Sequence, residues 1–370
     1  MNRNVSAFLS RHNFVQHIDL NSFADALLCD MNNGINGRKS DEDMIRTWAT
    51  PPAKSVCGKK VIVIDAGGTN FRSCLVTFDE NGTPSISNLE KTSMPGIEKE
   101  LSFKEFFDQF AENLKKKKNQ ADSIGFCFSY PTEITKDGDG ILLGFSKEVK
   151  APEVVGKPVG KSLCDALEAH GWNRPKSIAI LNDTVAALLA GAASKKPGVK
   201  YSSYIGFILG TGMNAAYIQP AVKELKDFEK PQIVVCESGK FCGVIQSDFD
   251  KDVDSKTTRP GTFLMEKGCS GAYLGSVSYS ALQTAAKEGY LSEKVAQRIL
   301  ALSALTLIEA DSFLHSPYDS STTLGSILAE SGTADDYDFV FGLLDAIVER
   351  SARYAAVILT SCVIQSGAGK

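Results

Sequence analysis

No stretch of this 370-residue chain approaches the roughly 20 consecutive apolar residues that a membrane-spanning helix needs, and no basic-then-apolar leader opens it. A cytoplasmic protein with no membrane insertion is expected. Charge of one sign is also missing: 40 Lys and Arg against 44 Asp and Glu leave a net charge of -4, which gives no bulk attraction to nucleic acid. Any phosphate binding has to be local. The nine cysteines, at 29, 57, 74, 127, 164, 236, 242, 269 and 362, form no CxxC pair. That scatter excludes a disulfide framework or zinc ribbon and suits reduced thiols. There are four histidines, His12, His17, His170 and His315, and none sits near a chemical motif. General acid-base chemistry therefore falls to carboxylates.

What the chain has in quantity is alternation of strand-like and helix-like segments, with 43% hydrophobic and 23% charged residues. Val61 to Ile64 and Arg72 to Phe78 predict a hairpin around a glycine turn, and Ser123 to Phe128, Ser177 to Leu181, Tyr204 to Leu209, Asn214 to Ile218 and Ile233 to Cys236 predict further strands. Helical spacing marks Ser6 to Trp48 up to the Pro51-Pro52 break, and Ser102 to Lys118, whose four closing lysines are expected to face water at a helix C-terminus. It also marks a segment from Thr184, one long helix from Ser292 to Leu314, and another from Tyr337 to Cys362. The polar stretch around Pro197-Gly198 predicts a boundary between halves 1–198 and 199–370, each opening on strand, glycine turn, strand. The expected architecture is an α/β fold of two lobes with a central cleft.

The chemistry centres on the two turns. Asp65-Ala66-Gly67-Gly68-Thr69-Asn70 frees backbone to approach a phosphate and adds side-chain donors, and Arg72 is a further cation for a polyphosphate. Asp65, ending a buried strand, can orient Mg2+ through its water shell. Taken alone, this segment reads equally well as a plain glycine hairpin. Gly210-Thr211-Gly212-Met213-Asn214 repeats the logic after the second strand, and Asp183 stands between a strand and a helix, as either a helix cap or a fixed base.

Asp65 to Arg72, reading DAGGTNFR, resembles the first phosphate loop of the hexokinase family. In the same order follow Phe128-Ser129-Tyr130-Pro131, Gly144-Phe145-Ser146-Lys147, Leu181-Asn182-Asp183-Thr184, Gly210 to Tyr217, Phe249-Asp250, Met265-Glu266-Lys267 and Ser270 to Gly275. The resemblance implies an actin-like ATPase (ribonuclease H-like) fold and transfer of the γ-phosphate of MgATP to the 6-hydroxyl of a hexose, glucose first, then mannose or fructose. It implies Asp183 as the base, helped by Lys147, and a sugar pocket of Ser129, Ser146, Lys147, Asn182, Asp183, Asn214, Glu237 and Glu266. The nucleotide is expected on Asp65, Gly67, Gly68, Thr69, Asn70, Arg72, Gly210, Thr211 and Gly212, with lobe closure on sugar excluding water. The chain departs from the family at Ser238, where tryptophan usually follows the glutamate, and at Ser276-Val277. It is expected to lack the family's adenosine-binding C-terminal segment. A sugar-binding or regulatory relative, and another sugar kinase or ATPase of the same superfamily, are the alternative readings.

Overall fold

A computed structural model describes residues 3–51, 56–67, 69–145, 149–194 and 198–368. In chain order it forms helices α1 (Arg3–Arg11) and α2 (Leu20–Ile35), strands β1 (Ile45–Arg46), β2 (Lys60–Ala66), β3 (Asn70–Phe78) and β4 (Pro84–Ser93), helix α3 (Phe103–Asn113), and strands β5 (Ser123–Phe128), β6 (Thr132–Ile134) and β7 (Gly140–Leu142). Helix α4 (Val159–Ala169), β8 (Ser177–Leu181), α5 (Asp183–Ala193), β9 (Ile205–Leu209), β10 (Met213–Gln219) and β11 (Gln232–Val235) follow. The remainder is helical: α6 (Asp248–Ser255), α7 (Leu264–Lys267), α8 (Leu274–Lys287), α9 (Glu293–Leu300), α10 (Leu307–His315), α11 (Thr323–Ser331) and α12 (Ala334–Gln365).

Two compact units divide the chain. One comprises residues 1–44, 207–215 and 236–365; the other 45–206, 216–235 and 366–370. In the second unit a five-stranded sheet runs in the order β4-β3-β2-β5-β8, with β2, β3 and β4 antiparallel and β2, β5 and β8 parallel. Alternation explains its sidedness: Ile62, Ile64 and Ala66 of β2 and Ile124, Phe126 and Phe128 of β5 point into one core. There they meet Phe106, Phe107 and Phe110 of α3, and Leu163 and Leu167 of α4. Asp65 and Cys127, one residue out of that phase, lie on the opposite face. A second sheet has the order β1-β11-β10-β9, and α5 packs Val185 and Leu188 against Ala216, Ile233 and Val235 of it.

The other unit is a helical layer. Phe8 of α1, Val277 and Leu282 of α8, Val295 of α9, Phe313 of α10 and Leu343 and Ile347 of α12 share one core. A buried ion pair crosses it: Arg350 of α12 donates two hydrogen bonds to Asp250 of α6, at 2.7 and 2.8 Å, with its guanidinium 4.2 Å from the Phe14 ring centroid. Asp250 also closes the α6 capping box through Ser247. Burial alone raises a carboxyl pKa, but the Arg350 charge and these bonds outweigh it and hold Asp250 below its ordinary value.

Three expectations need correction. Ser292 to Leu314 is two helices, because Thr306 and Glu309 form a capping box that starts α10 afresh. The helix read to Lys118 ends at Asn113 and gives way to a 3-10 turn over Lys115–Lys117. Nor do all its lysines face water: Lys117 is fully buried and ion-paired with Glu90 at 2.7 Å, and Lys116 reaches the same carboxylate. No helix among the described residues is long and apolar enough to cross a membrane.

Arg350→Ala would leave Asp250 buried without its counter-charge, a change that costs about 3–5 kcal/mol at such sites. Urea denaturation should show the unfolding free energy falling by that margin, as a lower midpoint at an unchanged slope.

Candidate functional site

In the 45–206 unit, the parallel register brings the ends of β2, β5 and β8 side by side. Asp65 pairs with Cys127, Ala66 with Phe128, and Cys127 with Leu181. Asp65, Ser129 and Asn182-Asp183 therefore emerge at one end of one sheet, where a parallel sheet places its ligands. Arg72, opposite Asp65 on β3, donates to its Oδ2 at 2.9 Å. Tightening the turn between β2 and β3, the Gly67 amide donates to Asn70 O at 3.0 Å, and Asn70 Nδ2 donates to Thr69 Oγ1 at 3.0 Å. Gly67 does not take a positive φ, so the need for glycine here is not one of handedness. Gly68, Ser146 and Lys147 lie outside the described residues.

Asp183 opens α5, but it is not the cap. Asn182 fills that role, its Oδ1 accepting from the Thr184 amide at 2.8 Å. Asp183 is the first helical residue, beside the positive end of the helix, and accepts from Thr184 Oγ1 at 3.1 Å. Gly206 fixes its depth: a Cβ there would stand 2.1 Å from the Thr184 carbonyl oxygen, so only glycine lets the first turn of α5 approach β9 this closely.

The other unit holds the remaining groups. The Gly210 amide bonds Gly212 O at 2.9 Å, and the Gly271 amide caps Gly210 O at 2.8 Å. Glu266 accepts from the Met213 amide at 3.0 Å. Its carboxylate is so close that a Cβ on Gly212 would lie 2.7 Å from Oε2, and one on Gly239 would lie 3.1 Å from its Cβ. Burial raises the Glu266 pKa, against the opposing pull of the Met213 amide and Lys267. Asn214 donates to Glu237 Oε1 at 2.7 Å and accepts from the amides of Ala215 and Glu237 at 2.8 and 3.0 Å. Glu237 occupies the left-handed region at φ 58°, an uncommon place for a residue with a side chain, and Asn214 is what holds it there.

Of the expected residues, the structure thus gathers Asp65, Gly67, Thr69, Asn70, Arg72, Ser129, Asn182 and Asp183 in one unit, and Gly210, Thr211, Gly212, Asn214, Glu237 and Glu266 in the other. The contacts of two further side chains were not readable from the sequence. Tyr130, in the Phe128-Ser129-Tyr130-Pro131 segment, uses its hydroxyl to donate to Gly67 O at 2.7 Å and so braces the turn between β2 and β3. Cys127 sits among the carboxylates; burial, with Asp65 and Asp183 nearby, pushes its thiol up to about 12, so it stays neutral. Tyr130 was visible within a motif of the sequence; nothing there marked Cys127.

Two matches decide the family: residues 7–193 and residues 204–370 each fit a family described as hexokinase. The chain belongs to the hexokinase family. It is 28% identical over 360 residues to hexokinase-1 of Schizosaccharomyces pombe, across 91% of this chain and 73% of that protein. It is 26% identical over 404 residues to putative glucokinase-2 of Saccharomyces cerevisiae, across 94% and 79%. A solved hexokinase of Schistosoma mansoni complexed with glucose superposes with a TM-score of 0.75 at 22% identity, covering 99% of this chain and 86% of that one. Another hexokinase crystal structure gives 0.80 at 21% over the same shares. These likenesses establish the two-domain α/β, actin-like ATPase fold of hexokinases.

Adding a methyl group at either close glycine separates two roles. Gly206→Ala meets unyielding backbone and should cost about 1–3 kcal/mol. Gly212→Ala meets the mobile end of Glu266 and should cost less while displacing that carboxylate; a pair of denaturation curves that ranks them the other way would contradict the assignment.

Proposed function

We propose that the chain phosphorylates a hexose, glucose foremost, at the 6-hydroxyl with MgATP. The observation that carries this reading is the Asn214, Glu237 and Glu266 constellation beside the turn at Gly210. Holding a polyphosphate on the turn at Gly210 makes no use of these two carboxylates. A neutral polyol does, because carboxylates and an amide satisfy its hydroxyls and reject analogues that leave them unpaired.

Asp183 accepts the proton of the 6-hydroxyl as its oxygen attacks the γ-phosphorus; the bond from that phosphorus to the bridging oxygen of ADP breaks, and ADP leaves with the electron pair. Asn182 fixes Asp183 through the helix start it caps. Ser129, Asn182, Asn214, Glu237 and Glu266 orient the sugar, and Ser146 and Lys147 belong to the same proposed set. Thr69, Asn70, Arg72 and the turns at Gly67 and Gly210 hold the phosphates. The residues fit a magnesium ion: Asp65 offers the hard oxygen that such an ion takes through its water shell. When bound, that ion neutralises charge on the phosphates. Among the described residues no three His, Cys, Asp or Glu side chains converge as a metal cage, and an ion carried mainly by the nucleotide requires none.

Asp183→Ala should lower turnover of glucose in a coupled ADP assay by about 10²–10⁴-fold, the range for a lost general base, while calorimetry still shows glucose binding and the melting curve stays cooperative. Retained turnover would remove Asp183 as the base; glucose binding by the unaltered chain with no turnover at millimolar MgATP would assign a sugar-binding relative instead. Because the Glu266 pKa is raised from 4.5 by burial, glucose affinity should fall on acidification before an ordinary glutamate would protonate. Binding titrations on the acid side of neutrality check this.

A further inference from the structure

The loop after α2 doubles back along the segment that carries Glu237. Met44 N donates to Cys236 O at 3.3 Å, Cys242 N donates to Asp41 Oδ2 at 2.9 Å, and Lys240 Nζ binds Asp43 Oδ2 at 2.5 Å. Residues 41–44 thus form a strap over residues 236–242. Its other edge is fastened to α2, where the Asp30 carboxylate accepts from the amides of Asp41 and Glu42 at 2.9 Å each.

Asp41 and Asp43 make these ties, and Glu42, between them, is turned inward. It is 1% exposed, and among the described residues neither oxygen of its carboxyl has a hydrogen-bond partner. The titratable groups that face it are Cys362 from α12, Asp30 from α2, Asp41 from the strap, and Cys236 and Glu237 from the strapped segment. All are acids or thiols, and the pKa of the Cys236 thiol is held up by the neighbouring Cys362 and by burial. An ionised carboxylate without a donor in this company is expensive, so burial first, and then the neighbouring negative charges, raise the Glu42 pKa well above 4.5.

We propose that Glu42 is a positioning residue for Glu237, a neutral acid that seats the strap against the Cys236–Cys242 segment and keeps Glu237 on Asn214. The inference rests on the reading of Glu237 as a hexose ligand. Ionisation of Glu42 sets a second negative charge behind Glu237 and beside Asp30. The strap relieves that repulsion by lifting, which releases Lys240 and Cys242 and draws Glu237 out of its left-handed conformation. Hexose affinity is then lost on the alkaline side. The linkage has a definite sign: the folded chain holds a proton that the unfolded chain has released, so stability is greatest below the unfolded value near 4.5 and declines as pH rises toward the raised folded value.

The test is glucose binding by calorimetry between about pH 6 and about pH 9.5, on the full chain and on Glu42→Gln, which keeps the shape and never ionises. Glucose affinity of the unaltered chain should weaken by about tenfold or more across that range while Glu42→Gln changes by less than about threefold. Thermal melting should show the same contrast. Glu42→Met supplies the uncharged comparison should the amide fail to fold. Parallel weakening of the unaltered chain and an uncharged variant overturns the positioning role and leaves the hexose reading standing. Absence of glucose binding by the unaltered chain at every pH overturns the hexose reading and the role together.

Discussion

Glu266 joins three stretches that are far apart in sequence. Its carboxylate accepts the Met213 amide at the end of the second glycine turn, and it lies against Gly212 on one side and Gly239 on the other. The turn, the segment after Glu237 and α7 are thereby held at spacings set by one side chain. Any larger residue at 212 or 239 competes with that carboxylate for space, so the two glycines are explained by Glu266 as much as by any ligand. The same residue has its charge disfavoured by burial and supported by an amide and a lysine.

How much of this was legible follows from the kind of pattern each element leaves. Ser123–Phe128 and Ser177–Leu181 were read to the residue, since buried parallel strands are short apolar runs bounded by polar residues. Strand β4 was not read, being exposed along most of its length and interrupted at Asn88, which takes a positive φ. Ser292 to Leu314 kept an apolar rhythm through Ala301, Leu302 and Leu305, and periodicity cannot register a chain that stops one helix and caps the next. The lysine run failed for another reason. Burial of Lys117 depends on Glu90, 27 positions earlier on an unrecognised strand.

The site shows the same divide. Asp65, Asp183, Asn214 and Glu266 are candidates because ordered motifs carry them, and Glu237 because it follows an apolar strand. What holds them was invisible: Gly206 admits the Thr184 carbonyl, Tyr130 supports Gly67 from the bend after β5, and Asn214 bonds Glu237 in its left-handed backbone state. Each is a contact across sequence distance between residues of unremarkable type. Motifs report the groups that meet a ligand, whereas the groups that meet those groups are chosen by geometry.

Charge gives these choices a common logic. With a net charge of -4, the chain attracts no polyanion in bulk, so it concentrates compensation locally. Arg72 stands beside Asp65 at the first turn, where phosphate is to be held. Carboxylates stand beside the other turn, where Glu266 accepts from the Met213 amide and Glu237 from Asn214. The strap extends that acidic surround inward to Glu42, whose charged form is disfavoured by burial and then by its acidic neighbours. On the proposed reading of Glu237 as a hexose ligand, the buried position of Glu42 favours its neutral form, because a second charge there would repel the first.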